Sequence, residues 1–187
     1  MDILEKFINS YQEQDTTSAA TSRNQVPAML NLDRGFFRQK SGDVNLDVGG
    51  GKYDLATEYL AENYQVENLV YDPFNRSGFH NRSVIQRLEN QLADSATILN
   101  VLNVVYDLDS RISILEFAHR YTKVGGNIYI SVYIRDGSNR EVETRDGIQL
   151  NARPSFYLPE IISVFGSAEV LGNPEQKSGT GFILAQV

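Results

Sequence analysis

Apolar positions recur with two different periods along this chain, and the changes of period mark out its elements. Near the start, Ile3, Leu4, Phe7, Ile8 and Tyr11 fall on one side of a 3.6-residue repeat, which predicts a short amphipathic helix. The helix breaks in Gln14-Asp15-Thr16-Thr17-Ser18, a polar run with turn chemistry and little to bury. Pro27, Gly35 and Gly42 keep the next stretch irregular, so residues 1–43 read as an N-terminal helix and lid segment ahead of a domain over 44–187.

From Val44 onward, strands alternate with helices. Val44-Asn45-Leu46-Asp47-Val48 predicts a strand that stops at Gly49-Gly50-Gly51, and Leu55, Ala56, Tyr59 and Leu60 predict a helix. Leu69-Val70-Tyr71 is a second strand, closed by Asp72-Pro73. Val84, Ile85, Leu88 and Leu92 give a helix, and Ala96-Thr97-Ile98-Leu99 a strand. Ile112, Leu115, Ala118 and Tyr121 carry the next helix, ended by Gly125-Gly126. Asn127 to Ile134 then alternates Ile128, Ile130, Val132 and Ile134 as a strand does. Leu158, Ile161, Ile162 and Phe165 form a last helix. Two strands follow, Ala168 to Leu171 and Phe182 to Val187, joined by a loop holding Gly172, Pro174 and Gly179. The alternation predicts an α/β fold, a mostly parallel sheet with right-handed crossovers and helices on both faces. The final two strands, joined by a short loop, must pair antiparallel.

Composition narrows the chemistry. A chain of 187 residues fits one domain. With no cysteine, a disulfide scaffold, a thiolate metal site and a cysteine nucleophile are excluded, and two histidines are too few for a histidine-rich metal site, so no metal is expected. The 24 acidic against 17 basic side chains, net −7, weigh against a broad nucleic-acid footprint. The first residues lack the apolar run of a signal peptide, and no 18-residue apolar stretch occurs, so the expectation is a cytoplasmic protein without a membrane partner.

The most informative stretch is Asp47-Val48-Gly49-Gly50-Gly51-Lys52-Tyr53-Asp54, where a strand meets a helix. Residues without side chains there let a ligand approach the backbone, and a helix N-terminus offers free N–H groups. Asp72 follows Gly51 by 21 residues, at the end of the next strand, the position from which a carboxylate accepts hydrogen bonds from ribose hydroxyls. A dinucleotide fingerprint starting at Gly49 needs glycine at position 54, where Asp54 stands, and no nucleoside-triphosphate loop is present. Asp47 beside the loop suits a ligand with an ammonium group and a sulfonium better than one with a pyrophosphate, which it would repel. The spacing favours S-adenosylmethionine.

On these residues the chain resembles the class I S-adenosylmethionine-dependent methyltransferases, whose glycine-rich first motif looks like Asp47-Val48-Gly49-Gly50-Gly51 and whose acidic second-strand end looks like Asp72. The segment Asn100-Val101-Leu102-Asn103-Val104-Val105 is similar to their fourth-strand region, and the closing strand pair matches their sheet. Within the resemblance, which covers Val44 to Val187, Tyr71-Asp72-Pro73-Phe74-Asn75-Arg76 and Asn100 to Val104 look most like small bacterial and phage methyltransferase-like proteins. The resemblance implies a Rossmann-like methyltransferase fold with S-adenosylmethionine as cofactor. It places Asp47, Gly49, Gly50, Gly51, Asp72, Pro73, Phe74, Asn100 and Val101 around that cofactor.

One strand departs from the family. Between Pro73 and Ala96 the sequence predicts one helix and no third strand, which removes the family's usual adenine contact. Asp94, Phe74 or the backbone after Leu99 are the substitutes. No catalytic base is assigned: His80 follows the Asp72 loop, His119 sits in a helix, and Arg23 and Gln25 lie either over the cofactor or on plain surface. The acceptor is unspecified. Asn100-Val101-Leu102-Asn103 is not the Asn/Asp-Pro-Pro-aromatic run of amino-methylating DNA enzymes. Arg135, Arg140, Arg145 and Arg153 alternate with Asp136, Glu141, Glu143 and Asp146 as in a solvated loop, so a small molecule or a protein is favoured over nucleic acid. Two rivals stand beside the enzyme: a regulatory or interaction module that binds S-adenosylmethionine without transfer, and a nicotinamide-dependent oxidoreductase.

Overall fold

The structure is a computed structural model that describes residues 25–144 and 147–187. The expected helix over Ile3–Tyr11, Arg23, Arg145 and Asp146 lie outside the described residues. In chain order the elements are β1 (Val44–Val48), α1 (Leu55–Tyr64), β2 (Glu67–Tyr71), α2 (Gly78–Asn90), β3 (Ala93–Leu99), α3 (Leu108–Tyr121), β4 (Thr122–Ile134), β5 (Glu141–Thr144), β6 (Gly147–Leu150), α4 (Pro154–Phe165), β7 (Ala168–Leu171) and β8 (Gly179–Gln186).

Six strands form one sheet in the order β2-β1-β3-β4-β8-β7. β1 to β4 run parallel, while β8 pairs antiparallel with both β4 and β7. This is the mostly parallel sheet with an antiparallel C-terminal strand that the hydrophobic pattern predicts. The chain leaves β1 toward β2 and returns through α2 to β3 on the other side, so the strand order reverses at β1. A crevice opens at such a switch point, outside the carboxyl ends of the strands.

Each face of the sheet has its own apolar cover. Val44, Leu46 and Val48 pack with Val84, Leu88, Ile114, Leu115 and Ile161, which places α2, α3 and α4 on one face. On the other face Ala56 and Leu60 of α1 pack with Met29, Leu30, Phe37, Tyr129 and Phe182. The stretch 26–39 thus lies over the central sheet. It is pinned there by the Tyr129 hydroxyl, which accepts from Arg38 N at 3.1 Å and donates to Arg38 O at 3.0 Å.

The absent third strand is confirmed among the described residues: α2 alone joins β2 to β3. β2 is therefore an edge strand, and α2 blunts it. His80 Nε2 donates to Val70 O at 2.8 Å, while Asn81 accepts from Asp72 N at 3.1 Å and donates to Asp72 O at 2.9 Å. Two side chains from the first turn of a helix thus satisfy backbone groups that a neighbouring strand would otherwise take.

Other differences concern boundaries. β3 begins at Ala93 rather than Ala96, and β4 at Thr122 rather than Asn127. Gly125-Gly126 do not end α3 but lie inside β4, where a side chain on Gly126 would stand 2.8 Å from Asp94 O. The hairpin β5–β6 occupies what the sequence predicts as loop, and its pairing is confined to its own two strands.

Candidate functional site

Parallel register builds the site. Asp47 lies opposite Val70 on β2 and Thr97 on β3, and Val48 opposite Tyr71, so the loop after β1 and the loop after β2 emerge side by side. The first has glycines at the positions that need them: Gly49 at φ 75° and Gly51 at φ 80° are left-handed. Gly50 is required by space, since a Cβ there would stand 2.3 Å from Asp47 Oδ2 and 2.9 Å from Val70 Cγ1. The loop closes over the Asp47 carboxylate.

Asp47 is the end of a buried polar ladder on the α1 face. Ser95 Oγ donates to Asn45 Oδ1 at 2.8 Å. The Asn45 amide donates to Asn68 Oδ1 at 2.8 Å and Thr97 Oγ1 at 3.0 Å, and Thr97 Oγ1 donates to Asp47 Oδ1 at 2.9 Å. Burial pushes the Asp47 carboxyl up from 3.8 to about 6, against the hydrogen bonds from Thr97 and Asn68 that lower it. A cation placed beside it would draw it back to the charged form. That is the electrostatic demand of an ammonium ligand.

Asp72 ties the two loops together. Its Oδ2 accepts from Gly51 N at 2.9 Å and Asn75 Nδ2 at 3.1 Å; its Oδ1 accepts from Phe74 N at 3.0 Å and Asn75 N at 2.9 Å. A carboxylate has about four acceptor positions, and all are taken. Arg76 fastens the same junction from outside, donating from Nε to Gly51 O at 2.8 Å and pairing through Nη2 with Asp54 at 2.7 Å. Neither Asn75 nor Arg76 carries a role in the sequence reading. Both stand in the segment Tyr71–Arg76, but only the register of β1 against β2 reveals what they reach.

On the other side of the crevice, Asn100 follows β3 in a left-handed conformation, φ 59°, its N–H bonded to Ser131 O at 2.8 Å. Val101 is buried behind it and opens the 3-10 turn Leu102–Val104. Pro73 and Phe74 are half-buried beside Asp72, with Phe74 packed against the core. The nine sequence-predicted residues thus all fall at the carboxyl ends of β1, β2 and β3, Asp47 within β1 and the other eight in the segments that follow the strands.

Other candidates lie elsewhere. Asp94 accepts from Val44 N at 2.9 Å and pairs with Lys123 at the amino end of β3. Strands rise about 3.3 Å per residue, so that is roughly 20 Å from the crevice, and Asp94 is not an adenine ligand. His80 is committed to the β2 edge. His119 is exposed in the last turn of α3, its ring 5.6 Å from that of Phe165. Gln25 is exposed.

The fold agrees with what comparison finds. The chain superposes on the 1,6-didemethyltoxoflavin-N1-methyltransferase from Burkholderia thailandensis, crystallised with 1,6-didemethyltoxoflavin and S-adenosylhomocysteine, at a TM-score of 0.60 and 14% identity. That match covers 98% of this chain and 88% of the other. The chain has the class I methyltransferase fold. PigF, bound to S-adenosylhomocysteine, matches the same fold at a TM-score of 0.57 and 13% identity, over 98% of this chain and 69% of PigF. The pyocyanin biosynthetic protein PhzM matches at 0.52 and 14%, over 80% of this chain, which spans about half (52%) of that protein's length. No family model matches the sequence, and no curated protein matches it. The residues of this crevice fit S-adenosylmethionine in charge and space: a glycine turn without room for a side chain at Gly50, a buried carboxylate that gains from a cation, and a second carboxylate at the end of β2.

Proposed function

We propose that the protein is an S-adenosylmethionine-dependent methyltransferase whose acceptor is a small molecule or a protein. The observation that supports it most is the junction of Asp47, the Gly49–Gly51 turn and Asp72 at the switch point of the sheet. In this reading Asp47 and the glycine turn hold the amino-acid end of the cofactor, and Asp72 the ribose. Pro73, Phe74, Asn100 and Val101 flank the adenine, where the missing third strand leaves Phe74 and the backbone after β3 as the available partners. Bound there, the cofactor supplies an electrophilic methyl group on a sulfonium. The chain's own residues orient it and keep water from it, which is enough for an in-line displacement on a good nucleophile. With the cofactor held by Asp47, the glycine turn and Asp72, the acceptor would supply the lone pair for methylation, the carbon–sulfur electron pair would stay on sulfur, and the acceptor's proton would pass to solvent.

Small acceptors are in keeping with the structural neighbours, among them the human N-acetylserotonin methyltransferase crystallised with S-adenosylmethionine. The same reading assigns acceptor selection to residues 1–43 together with the loops after β3 and β4, and the cofactor to residues 44–187. A second reading, a binding module without transfer, draws on one observation: His80 and His119 are both spent or placed away from the crevice. Incubation with S-adenosylmethionine carrying a labelled methyl group and fractionated cell extract separates the two. Label in a small-molecule or protein fraction supports the enzyme. Label in none, with the cofactor bound, supports the module.

A further inference from the structure

Three buried polar atoms near the carboxyl end of β3 have no hydrogen-bond partner: Asn103 Oδ1, Asn151 Nδ2 and Tyr157 Oη. Buried polar groups are almost always paired, so such atoms demand a physical account. The fourth atom of this kind, Arg153 Nε, belongs to a half-buried side chain that pairs with Glu175 and is set apart here.

The three belong to one corner. Asn103 is in the 3-10 turn that follows β3, immediately after the candidate cofactor residues Asn100 and Val101. β6 packs on that turn, and Asn151 is the first residue after β6. Its backbone is fixed by bonds to Asn139 N and Arg140 O, and its Oδ1 accepts from Gln149 Nε2 at 3.3 Å, which leaves the Nδ2 donor unmatched. Tyr157 lies in the first turn of α4 and faces Arg111 and Glu160. Arg111 reaches the two residues that follow that turn, donating to Val105 O at 3.1 Å and Tyr106 O at 2.7 Å.

The unmatched set defines a ligand. Asn103 Oδ1 needs a donor, Asn151 Nδ2 needs an acceptor, and the tyrosine hydroxyl serves as either. The charges of the corner cancel, because Arg111 and Glu160 form a buried pair at 2.9 Å with side chains 6% and 5% exposed. A carboxylate or phosphate would enter without a counter-charge and lose its hydration. We propose that this corner is the acceptor subsite and takes the amide or lactam edge of a small neutral molecule. The inference rests on the methyltransferase reading and narrows its substrate class. The three atoms are enclosed, so entry of a ligand requires the surrounding elements to shift; of these, β5 and β6 pair with no other strand.

The test uses the full chain saturated with S-adenosylhomocysteine and two matched pairs of probes, nicotinamide against nicotinate and uracil against orotate. Side-chain amide signals of Asn103 and Asn151 are followed by NMR. At least one neutral probe is expected to shift both, and its charged partner neither. Tyr157→Phe is expected to weaken the neutral probe about tenfold, as a site built for hydrogen bonds loses discrimination. It is also expected to raise the melting temperature of the ligand-free protein, because it deletes a hydroxyl with nothing to bond. No shift with either neutral probe, equal shifts with the charged ones, or a lower melting temperature for Tyr157→Phe would overturn the proposal alone. Failure of S-adenosylhomocysteine to bind would overturn the methyltransferase reading, and the proposal with it.

Discussion

The backbone N–H of Gly51 donates to Oδ2 of Asp72 at 2.9 Å, so the two loops that form the crevice are bonded to each other across 21 residues of sequence. Both ends of that bond are functional candidates. The Asp72 carboxylate is held by four of the chain's own donors, of which the Asn75 amide is the one supplied by a side chain.

A ribose hydroxyl arriving at Asp72 would take the place of the Asn75 amide. Asn75→Ala is therefore expected to bind S-adenosylhomocysteine as tightly as the wild type or up to about tenfold more tightly, the worth of one hydrogen bond to a charged group. Calorimetric titration of the variant measures this. A marked loss of affinity would mean that Asn75 helps to hold the ligand instead of standing in for it.

Gly50→Ala is expected to abolish binding or the fold of the loop. The added methyl would overlap Asp47 Oδ2 at 2.3 Å and Val70 Cγ1 at 2.9 Å, and both side chains are buried. Overpacking of this kind costs about 1–3 kcal/mol. Denaturant unfolding together with a ligand titration reads both parts of the effect.

Asp47 makes stability depend on pH. Its carboxyl titrates at about 6 in the folded protein against 3.8 ordinarily, so between these values the folded state holds a proton that the unfolded chain has lost. Stability from this group is full below about pH 4, falls as pH rises to 6, and stays lower above, by about 3 kcal/mol for a shift of roughly two units. Asp47→Asn removes the charge. It is expected to match the wild type near pH 4 and to exceed its stability near pH 7, while losing affinity for a cationic ligand. Urea unfolding at the two pH values checks the sign.

Asn81→Leu is expected to destabilise the protein by about 2–4 kcal/mol, because it strips partners from both backbone groups of Asp72 at the β2 edge. A change within experimental error would show that water replaces Asn81 there.

Much of this fold is legible in the sequence because burial dictates it. β1 runs from Val44 to Val48 as its apolar pattern predicts: all five residues are buried between two layers, and Gly49 at φ 75° stops it. The hairpin β5–β6 is illegible for the converse reason. Glu141, Glu143 and Thr144 are exposed, so no apolar alternation marks the strand. Gly125-Gly126 mislead because glycine there serves close approach to Asp94 and a bond from Gly125 N to Val187 O rather than a helix stop. At the site, the candidate positions follow from a local motif, whereas Arg76 and Asn75 act through a register that joins segments far apart. Asp94 reads as near the pocket in sequence and lies at the other end of its strand.

The crevice between β1, β2 and β3 is expected to bind S-adenosylmethionine. Calorimetric titration with S-adenosylhomocysteine and, separately, with a nicotinamide dinucleotide tests it most directly. One site for S-adenosylhomocysteine is expected, weakened at least tenfold in Asp72→Ala, and no heat with the dinucleotide. Heat with the dinucleotide and none with S-adenosylhomocysteine would contradict it.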